Sequence, residues 1–270
     1  MSQSNLLLRN QTAVITGASG GIGGAIAIAL GKAGANVAIN YFNDEEGAKE
    51  TQKAIVDAGS KAFVLRGDVG KEDDVKKLFA KAKETFGAVH ILINNAGIQI
   101  DEPFLTMSYE DWNQVLQTNL SGAFLCAREA AKCFDEQGVD EQVSKASGKI
   151  VFISSVHDTI PWSGRVNYAT SKGGMKMMMK SIAQELAPQK VRVMSISPGA
   201  IKTPINEEEW KDEEGKKKML AKIPYGRVGE PEDIGQVAVW LVSDQADYIT
   251  GTSIYVDGGM TLYPAFQEED

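Results

Sequence analysis

The sequence predicts one doubly wound α/β domain, with a seven-stranded parallel sheet and helices on both faces. Seven short apolar runs alternate along the chain with longer amphipathic stretches, which is the pattern of strands joined by helical crossovers. Most of the runs are continuously apolar, as expected for parallel strands that are covered on both faces. No internal repeat or long linker divides the chain, so residues 1–270 are predicted to form a single domain.

The elements follow in order along the chain. The first predicted helix, over residues 22–33, places Ile22, Ile26 and Leu30 on one face, which is typical of a helix packed on a sheet. The crossovers lie between the seven predicted strands, which are residues 13–16, 37–40, 62–65, 91–94, 149–154, 191–197 and 253–256.

Composition excludes several classes of function. The net charge is −8 and the pI about 5.0, so the long-range field disfavours nucleic-acid and anionic-membrane partners. No apolar stretch approaches the roughly 18 residues of a membrane span, and no signal peptide is recognisable. Cys126 and Cys133 are predicted to be reduced thiols in the core or at an interface. A cytoplasmic protein is therefore expected.

Three segments stand outside the regular alternation. Residues 135–147 are polar and have no predicted role. Residues 207–218 form a dense charge run, which fits either a solvated helix face or a mobile substrate lid at the ligand edge of the sheet. Residues 258–267 are expected to form a C-terminal segment of the substrate pocket.

The first strand leads directly into the glycine-rich turn TGASGGIG and then into a helix. Gly17, Gly21 and Gly23 permit a tight turn, close approach of a pyrophosphate and close packing of helix on strand. The helix N-terminus adds free N–H groups and a positive dipole end. The spacing departs from the G-x-G-x-x-G fingerprint, and a purely structural turn is the alternative. The strand before the turn and the helix after it favour a Rossmann-type dinucleotide site.

Cofactor choice depends on the end of the second strand. A carboxylate there holds the ribose 2′-hydroxyl of NAD, whereas a nearby arginine accommodates the 2′-phosphate of NADP. This chain has Asn40 to Asn43 at that point, with Tyr41 as a candidate contact, Asp44 slightly late and no arginine at Gly20 or Gly24. Neutral residues neither hold the hydroxyl strongly nor repel a phosphate, so NAD and NADP are both expected to be usable.

Four polar residues form a candidate catalytic constellation. Tyr168 and Lys172 lie at i and i+4 of a predicted helix and share a face. A cation near a phenol favours the phenolate, which makes the tyrosine a usable base. Ser155, at the end of the fifth strand, can donate to the reacting oxygen, and Asn119 is a candidate to hold a water behind the lysine. Each residue taken alone is more often structural; their joint occurrence downstream of the glycine turn indicates catalysis.

These pieces together resemble the short-chain dehydrogenase/reductase family over nearly the whole chain. The matching motifs are TGASGGIG, Asp68, NNAG, Asn119, Ser155 thirteen positions before Tyr168, YxxxK, and Pro198-Gly199 followed by Thr203. The resemblance implies that Tyr168 is the general base, that Lys172 lowers its pKa and grips the nicotinamide ribose, and that Asn119 completes a proton relay. It also implies a homotetramer. The predicted cofactor-binding residues are Gly17, Ser19, Gly21, Ile22, Gly23, Tyr41, Asp68, Val69, Asn95, Ala96, Gly97, Tyr168, Lys172, Pro198, Gly199, Ile201 and Thr203.

Three stretches around the expected substrate pocket are similar to those of the bacterial glucose 1-dehydrogenases within this family. They are SSVHDTIPW, PGAIKTPIN and GGMTLYPAFQ. The similarity implies oxidation of β-D-glucose, or a related sugar, at C1 to the lactone without a metal. Gln99, His157, Asn206 and Ser155 are the predicted substrate-binding residues. Gln99 and Lys202 depart from the glucose-enzyme pattern, so the sugar specificity is expected to differ or to be broader.

Two other functions remain open at this level. An NADPH-dependent reductase of 3-oxoacyl groups or small ketones uses the same machinery. A non-catalytic dinucleotide sensor or scaffold would use the same fold, but it predicts the loss of a catalytic residue, and none is lost. The methionines at positions 175, 177, 178 and 179 fit either a core face or a subunit interface.

Overall fold

The computed structural model describes residues 6–203 and 213–262, and a seven-stranded sheet organises them. Its order is β3-β2-β1-β4-β5-β6-β7, and every neighbouring pair is parallel. The predicted α/β fold and all seven predicted strands are confirmed. The strands are β1 (Thr12–Ile15), β2 (Asn36–Tyr41), β3 (Ala62–Arg66), β4 (Ile91–Asn94), β5 (Gly148–Ile153), β6 (Val191–Pro198) and β7 (Ser253–Val256).

Helices cover both faces of the sheet. The helices are α1 (Gly21–Lys32), α2 (Glu45–Asp57), α3 (Glu72–Phe86), α4 (Tyr109–Leu116), α5 (Ala123–Gln137), α6 (Val166–Leu186), α7 (Glu213–Leu220) and α8 (Pro231–Val242). Side chains of α1, α2 and α8 share one apolar core, and side chains of α3, α5 and α6 share the other. Strand β1 shows why its sequence is continuously apolar: Ile15 enters the first core, whereas Val14 enters the second.

The strand order reverses between β1 and β4. From β1 the chain proceeds outward through β2 and β3, and it then returns to place β4 on the other side of β1. Such a switch point opens a crevice at the carboxyl ends of the strands, where doubly wound proteins bind their ligands. The predicted glycine turn and the NNAG segment follow β1 and β4 and therefore meet at this crevice.

A π-helical turn, Gln117–Gly122, joins α4 to α5 and carries Asn119. The sequence predicted a helix here but not its wider winding. Turns of this kind are rare and are found frequently at functional sites. The turn places the Asn119 side chain, which is fully buried, between the sheet and α6.

The structure describes parts of the three segments that stand outside the regular alternation of strands and helices. In the polar segment 135–147, Ser144 is buried and binds both Lys149 and Asp244, so this segment covers the amino end of β5. Residues 213–218 of the predicted lid lie in α7, whereas residues 207–212 and the pocket residues 263–267 lie outside the described residues.

Cys126 and Cys133 are free thiols buried in the second core, as predicted. Within the described ranges, no helix has the length and apolar character needed to cross a membrane.

Candidate active site

A cleft of about 1750 Å³ lies along the carboxyl edge of the sheet. Its walls come from the segments that follow β1 to β6, together with residues of α6, α7 and the start of the C-terminal segment. Nearly all the predicted site residues of the described chain line this cleft. They are Gly17, Ser19, Gly21, Ile22, Gly23, Asp68, Val69, Asn95, Ala96, Gly97, Gln99, Ser155, His157, Tyr168, Lys172, Pro198, Gly199, Ile201 and Thr203.

The glycine-rich turn is shaped by backbone conformation and close packing. Gly17 has a φ of +60° and lies against the backbone of Ala96, where an added Cβ would approach the Ala96 Cα to 2.9 Å. At Gly23 an added Cβ would lie 2.4 Å from Asn95 Nδ2. Asn95 occupies that space because its amide donates to the Gly17 carbonyl oxygen at 2.7 Å. The NNAG segment therefore braces the turn as well as lining the cleft.

The N-terminus of α1 fits a dinucleotide phosphate. The N-cap residue of α1 is Gly20, which has no side chain to form a capping hydrogen bond. A Cβ added at Gly20 would meet no heavy atom within 4 Å. The first N–H groups of the helix thus open onto the cleft without a competing side chain. This is the arrangement that binds anions at helix N-termini, so the residues present fit the predicted cofactor.

The end of β2 differs from the prediction at one residue. Tyr41 is 7% exposed and packs in the first core, while its neighbours Phe42 and Asn43 line the cleft. Successive residues of a strand point to opposite faces of the sheet. The Tyr41 side chain points into the first core and therefore does not line the cleft. Asn40, 3% exposed, accepts from the Gly17 N–H at 3.3 Å and donates to the Gly67 carbonyl at 3.0 Å. It therefore ties the glycine turn to the end of β3.

Charged residues of both signs surround the same end of the cleft. Asp44 lines the cleft and also caps α2, since its carboxylate accepts from the Gly47 N–H at 2.9 Å. Arg66 Nε donates to the Phe42 carbonyl at 3.1 Å, and Lys71 lines the cleft beside Asp68. Among the described residues, this end of the cleft has neither a carboxylate free to hold a ribose 2′-hydroxyl nor a cluster of basic side chains for a 2′-phosphate. This agrees with the expectation that both NAD and NADP can bind.

Ser155, Tyr168 and Lys172 meet at the opposite end of the cleft. Ser155 follows β5 and begins a 3₁₀ turn over Val156–Asp158, where its hydroxyl accepts from the His157 N–H at 3.2 Å. Tyr168 and Lys172 are one turn apart on α6, and the Ser155 hydroxyl lies near enough to the Tyr168 phenol to act on its pKa. Lys172 is 4% exposed, and its Nζ donates to the Ile153 carbonyl at 2.8 Å.

The electrostatics of this trio depart from the prediction. Burial raises the pKa of Tyr168, and the hydrogen bond from Ser155 only partly opposes that effect. Lys172 Nζ lies 5.5 Å from the centre of the phenol ring, yet the pKa of Tyr168 is not lowered overall. Burial also lowers the pKa of Lys172 to about 8, against the nearby negative charge of Asp158. Desolvation therefore has the largest influence on the pKa of both residues. It outweighs the effect of Ser155 on Tyr168 and the effect of Asp158 on Lys172.

Asn119 is fully buried and lies outside the lining of the cleft. Its amide accepts from the Ile98 N–H at 2.8 Å and donates to the Ile98 carbonyl at 2.9 Å. The same Nδ2 lies 3.2 Å from the Ser171 hydroxyl, next to Lys172 in sequence. Asn119 thus fixes the segment after NNAG and joins it to α6.

A wall of stacked and paired side chains lines the cleft beside Ser155. Trp162 lies between the His157 ring, at 4.1 Å between centroids, and the Arg165 guanidinium, 4.2 Å from its ring centre. Arg165 forms an ion pair with Asp101 at 2.6 Å, and Asp101 accepts from the Gln99 amide at 2.8 Å. The predicted residues His157 and Gln99 are therefore the two ends of one connected wall.

His157 is held in a defined protonation state. Its Nδ1 lies 3.0 Å from the Ile160 carbonyl oxygen, which can only accept, so Nδ1 carries the proton. Burial, aided by the charge of Arg165, lowers the pKa of His157, and the imidazole is neutral at pH 7. The remaining ring nitrogen, Nε2, is then a hydrogen-bond acceptor.

Sequence reasoning missed Asp101, Asp158, Trp162 and Arg165. Trp162 and Asp158 stand inside the SSVHDTIPW stretch that was already singled out, so proximity to Ser155 was an available signal. Asp101 and Arg165 had none, because their pairing joins segments far apart in the chain. Asn206 lies outside the described residues. In the described ranges there is no cluster of three or more His, Cys, Asp or Glu side chains suited to a metal ion.

Comparison with known proteins gives the same picture. A protein-family profile described as enoyl-(acyl carrier protein) reductase matches residues 17–261. The chain belongs to the short-chain dehydrogenase/reductase family. It is 46% identical over 260 residues to 3beta-hydroxysteroid dehydrogenase 1 of Eggerthella lenta, covering 96% of this chain and 97% of that protein.

Two further proteins bear on the reaction. Glucose 1-dehydrogenase 2 of Bacillus subtilis is 42% identical over 259 residues, which cover 96% of this chain and 97% of that protein. An Agrobacterium tumefaciens structure, provisionally named a 2-deoxy-D-gluconate 3-dehydrogenase and solved with bound NADP, is 32% identical with a TM-score of 0.86, covering 97% of this chain and all of the other. This member of the family is therefore an NAD(P)-dependent oxidoreductase acting on a CH–OH group.

Proposed function

We propose that this short-chain dehydrogenase oxidises β-D-glucose, or a closely related sugar, at C1 to the 1,5-lactone, with Tyr168 as the general base. The observation that supports the base is that Ser155, Tyr168 and Lys172 line the same cleft, with the buried Lys172 Nζ 5.5 Å from the centre of the Tyr168 ring. In this arrangement Ser155 holds the C1 oxygen while the Tyr168 phenolate accepts its proton. Bound NAD(P)+ supplies the acceptor for the hydride that leaves the same carbon.

The protein residues that would hold the cofactor extend along the cleft from the glycine turn to Lys172. The open N-terminus of α1 suits the pyrophosphate, and the end of β2 suits the adenosine ribose of either NAD or NADP. Lys172 would donate to the nicotinamide ribose, and its charge favours the phenolate of Tyr168. Asn119 supports this geometry through Ile98 and Ser171.

His157 supports a polyhydroxylated substrate. Its neutral ring lines the cleft two residues from Ser155 with Nε2 available as an acceptor, so a hydroxyl next to the reacting carbon can donate to it. Gln99, at the other end of the same wall, offers its amide oxygen, because its Nε2 is engaged by Asp101. A site built on such groups discriminates strongly in favour of substrates that complete their hydrogen bonds. Asn206 is retained as a predicted substrate contact.

The base is tested by Tyr168→Phe. Removal of the hydroxyl is expected to lower kcat about 1000-fold while NAD(P)H binding, followed by fluorescence, is retained. Unchanged turnover would overturn the role of Tyr168 and would favour a dinucleotide sensor instead.

The sugar is tested by a pair of His157 variants. In the His157→Leu variant the KM for glucose is expected to rise about tenfold, which corresponds to the loss of one hydrogen bond. In the His157→Gln variant, which keeps an acceptor, the KM for glucose should rise less. Cyclohexanol, which has no second hydroxyl, serves as the matched substrate and should respond equally to both variants. Equal effects of both variants on glucose would contradict this role of His157.

A 3β-hydroxysteroid is the second candidate. The lining of the cleft also contains Met219, Pro224, Met260 and Leu262, which suit a large apolar ring system, and the 46% identical relative is named a 3beta-hydroxysteroid dehydrogenase. Rates of NAD+ and NADP+ reduction with glucose and with a 3β-hydroxysteroid distinguish the two. A higher kcat/KM for the steroid would replace the sugar and leave Tyr168 as the base. Oxidation of NADPH by a 3-oxoacyl thioester tests the reductase alternative in the same assay.

A homotetramer and a cytoplasmic location stay predictions. Met175 and Met179 pack in the second core, whereas Met177 is 62% exposed on α6 and Phe124 is exposed on α5. Only part of the methionine cluster is therefore available for a subunit interface. Light scattering coupled to size-exclusion chromatography measures the oligomeric state directly.

A further inference from the structure

We propose that Asp158 is a positioning residue for catalysis, which fixes the Ser155 turn against three strand ends and places a negative charge against the catalytic helix α6. The inference rests on the proposed roles of Ser155, Tyr168 and Lys172. It adds to them a residue that does not contact the reacting atoms but controls the groups that do.

The Asp158 carboxylate is fully enclosed and saturated with hydrogen bonds. Its side chain has no exposed surface. One oxygen, Oδ2, accepts from the hydroxyls of Ser154 at 2.9 Å and Ser197 at 2.8 Å. The other, Oδ1, accepts from the hydroxyls of Tyr255 at 2.7 Å and Thr159 at 2.9 Å, and forms an ion pair with Lys176 Nζ at 3.1 Å. Five donors on one buried carboxylate form a built site.

These five donors come from elements that must be held together for the site to work. Ser154 lies between the end of β5 and Ser155, and Ser197 lies in β6 immediately before the predicted cofactor-binding residues Pro198 and Gly199. Tyr255 lies in β7, and Lys176 lies one helical turn after Lys172 on α6. Asp158 itself ends the 3₁₀ turn that Ser155 begins. A single carboxylate thus sets the position of Ser155 relative to β6, β7 and the catalytic helix.

The charge on Asp158 is secured by the same contacts. Burial alone raises the pKa of Asp158, but the hydrogen bonds from Tyr255, Ser197, Thr159 and Ser154 outweigh it, and the pKa is lowered overall. The titratable groups that interact with this carboxylate are Lys172 and Lys176 from α6, Tyr255 from β7 and His157 from its own turn. Asp158 therefore stays ionised throughout the working pH range.

The charge acts on Lys172. Burial lowers the pKa of Lys172, and Asp158 is the group that opposes this shift. Lys172 has a carbonyl oxygen, that of Ile153, as its hydrogen-bond acceptor, and it faces Tyr168 on its own helix. Lys176 partly neutralises Asp158 through their ion pair, so the charge of Asp158 acts on lysines of two successive turns of α6.

The decisive experiment compares two variants with opposite expected signs. Asp158→Asn keeps the shape, removes the negative charge and replaces one accepting oxygen by a donor, so the pH profile of kcat/KM should move to lower pH by about half a unit or more, and kcat should fall about tenfold or more. Lys176→Met removes the compensating positive charge, so the profile should move to higher pH. Thr159→Val removes one donor but keeps both charges, and its profile should stay in place.

The expected signs separate positioning from simple stability. Melting temperatures of all variants are recorded, and a fall in melting temperature with an unmoved pH profile for both charge variants would overturn the proposal. Shifts of the same sign would overturn it as well. The pH dependence of NADH binding, followed by fluorescence, provides the same comparison without any substrate. If wild-type protein turns over no alcohol or sugar, the proposed function fails, while opposite shifts in the binding profile still support the role of Asp158.

Discussion

The two edges of the sheet each hold a buried lysine, and the contrast between them shows what makes a perturbed residue functional. Lys172, at the carboxyl edge, is 4% exposed, and Lys149, at the amino edge, is fully buried. Burial lowers the pKa of each to about 8. The pKa alone therefore does not distinguish a catalytic lysine from a structural one.

Their surroundings distinguish them. Lys149 donates to Gln11 Oε1 at 3.0 Å and to the hydroxyl of Ser144, which in turn donates to Asp244 at 2.6 Å, so its hydrogen bonds end in a closed polar cluster. Lys172 lines the large cleft beside Tyr168. His90, next to Lys149, has a structural role at this edge, because its Nδ1 accepts from the Thr12 N–H at 3.0 Å. A ligand can reach the lysine at one edge and not at the other.

The largest expected difference is in turnover. Lys172→Met should lower kcat/KM about 100-fold to 1000-fold, because the phenolate loses its neighbouring charge and the cofactor loses a donor. Lys149→Met should leave kcat per folded molecule within about twofold, since its cluster is closed to the cleft. Steady-state NAD(P)H formation checks both, with the folded fraction measured by circular dichroism. A comparable loss in the two variants would break the distinction between the edges.

The next effect concerns stability and pH, where the two lysines should behave alike. Each has a folded pKa near 8 and an ordinary value of 10.5, so between these pH values the unfolded chain binds more protons than the folded one. The free energy of unfolding should therefore rise with pH across this window, by up to about 3 kcal/mol for each lysine, and neither should add pH dependence below it. Urea unfolding at pH 7.5 and 10 measures this rise.

Removing either lysine should remove its own share of that rise. Lys149→Met and Lys172→Met should each show a smaller increase than the wild type over the same window. Other groups that titrate there are common to all three proteins, so the difference between variant and wild type is the informative quantity. A rise that survives intact in one variant would show that folding does not lower the pKa of the lysine that was removed.

The smallest effect compares the carboxylates that accompany the lysines. Asp244→Asn at the amino edge should cost about 1 kcal/mol of unfolding free energy, the value of the weakened bond from Ser144. It should leave the pH profile of catalysis in place, in contrast to Asp158→Asn. Thermal melts and pH–rate profiles of the two variants provide the check. A displaced profile for Asp244→Asn would mean that charge at the amino edge reaches the catalytic groups.

Sequence reasoning succeeded where the determining interactions are local. The strands β1 to β7 were predictable because an apolar run between helical patterns specifies a buried parallel strand without reference to its partners. The glycine turn after β1 and the Tyr168–Lys172 pair depend on spacings within a few residues. Tyr41 was placed in the cleft because its strand position was known, but its direction depends on the pleat, which a shift of one residue reverses.

The sequence by itself determined the fold, the glycine-rich turn after β1 and the candidate residues Ser155, Tyr168 and Lys172, since periodicity and short-range spacing encode them. Only the tertiary structure decided that burial dominates the pKa values of Tyr168 and Lys172, and that Trp162 is enclosed between His157 and Arg165. It alone brought Ser154, Ser197, Tyr255 and Lys176 onto Asp158. Desolvation and such contacts arise between segments distant in the chain, and no local pattern records them.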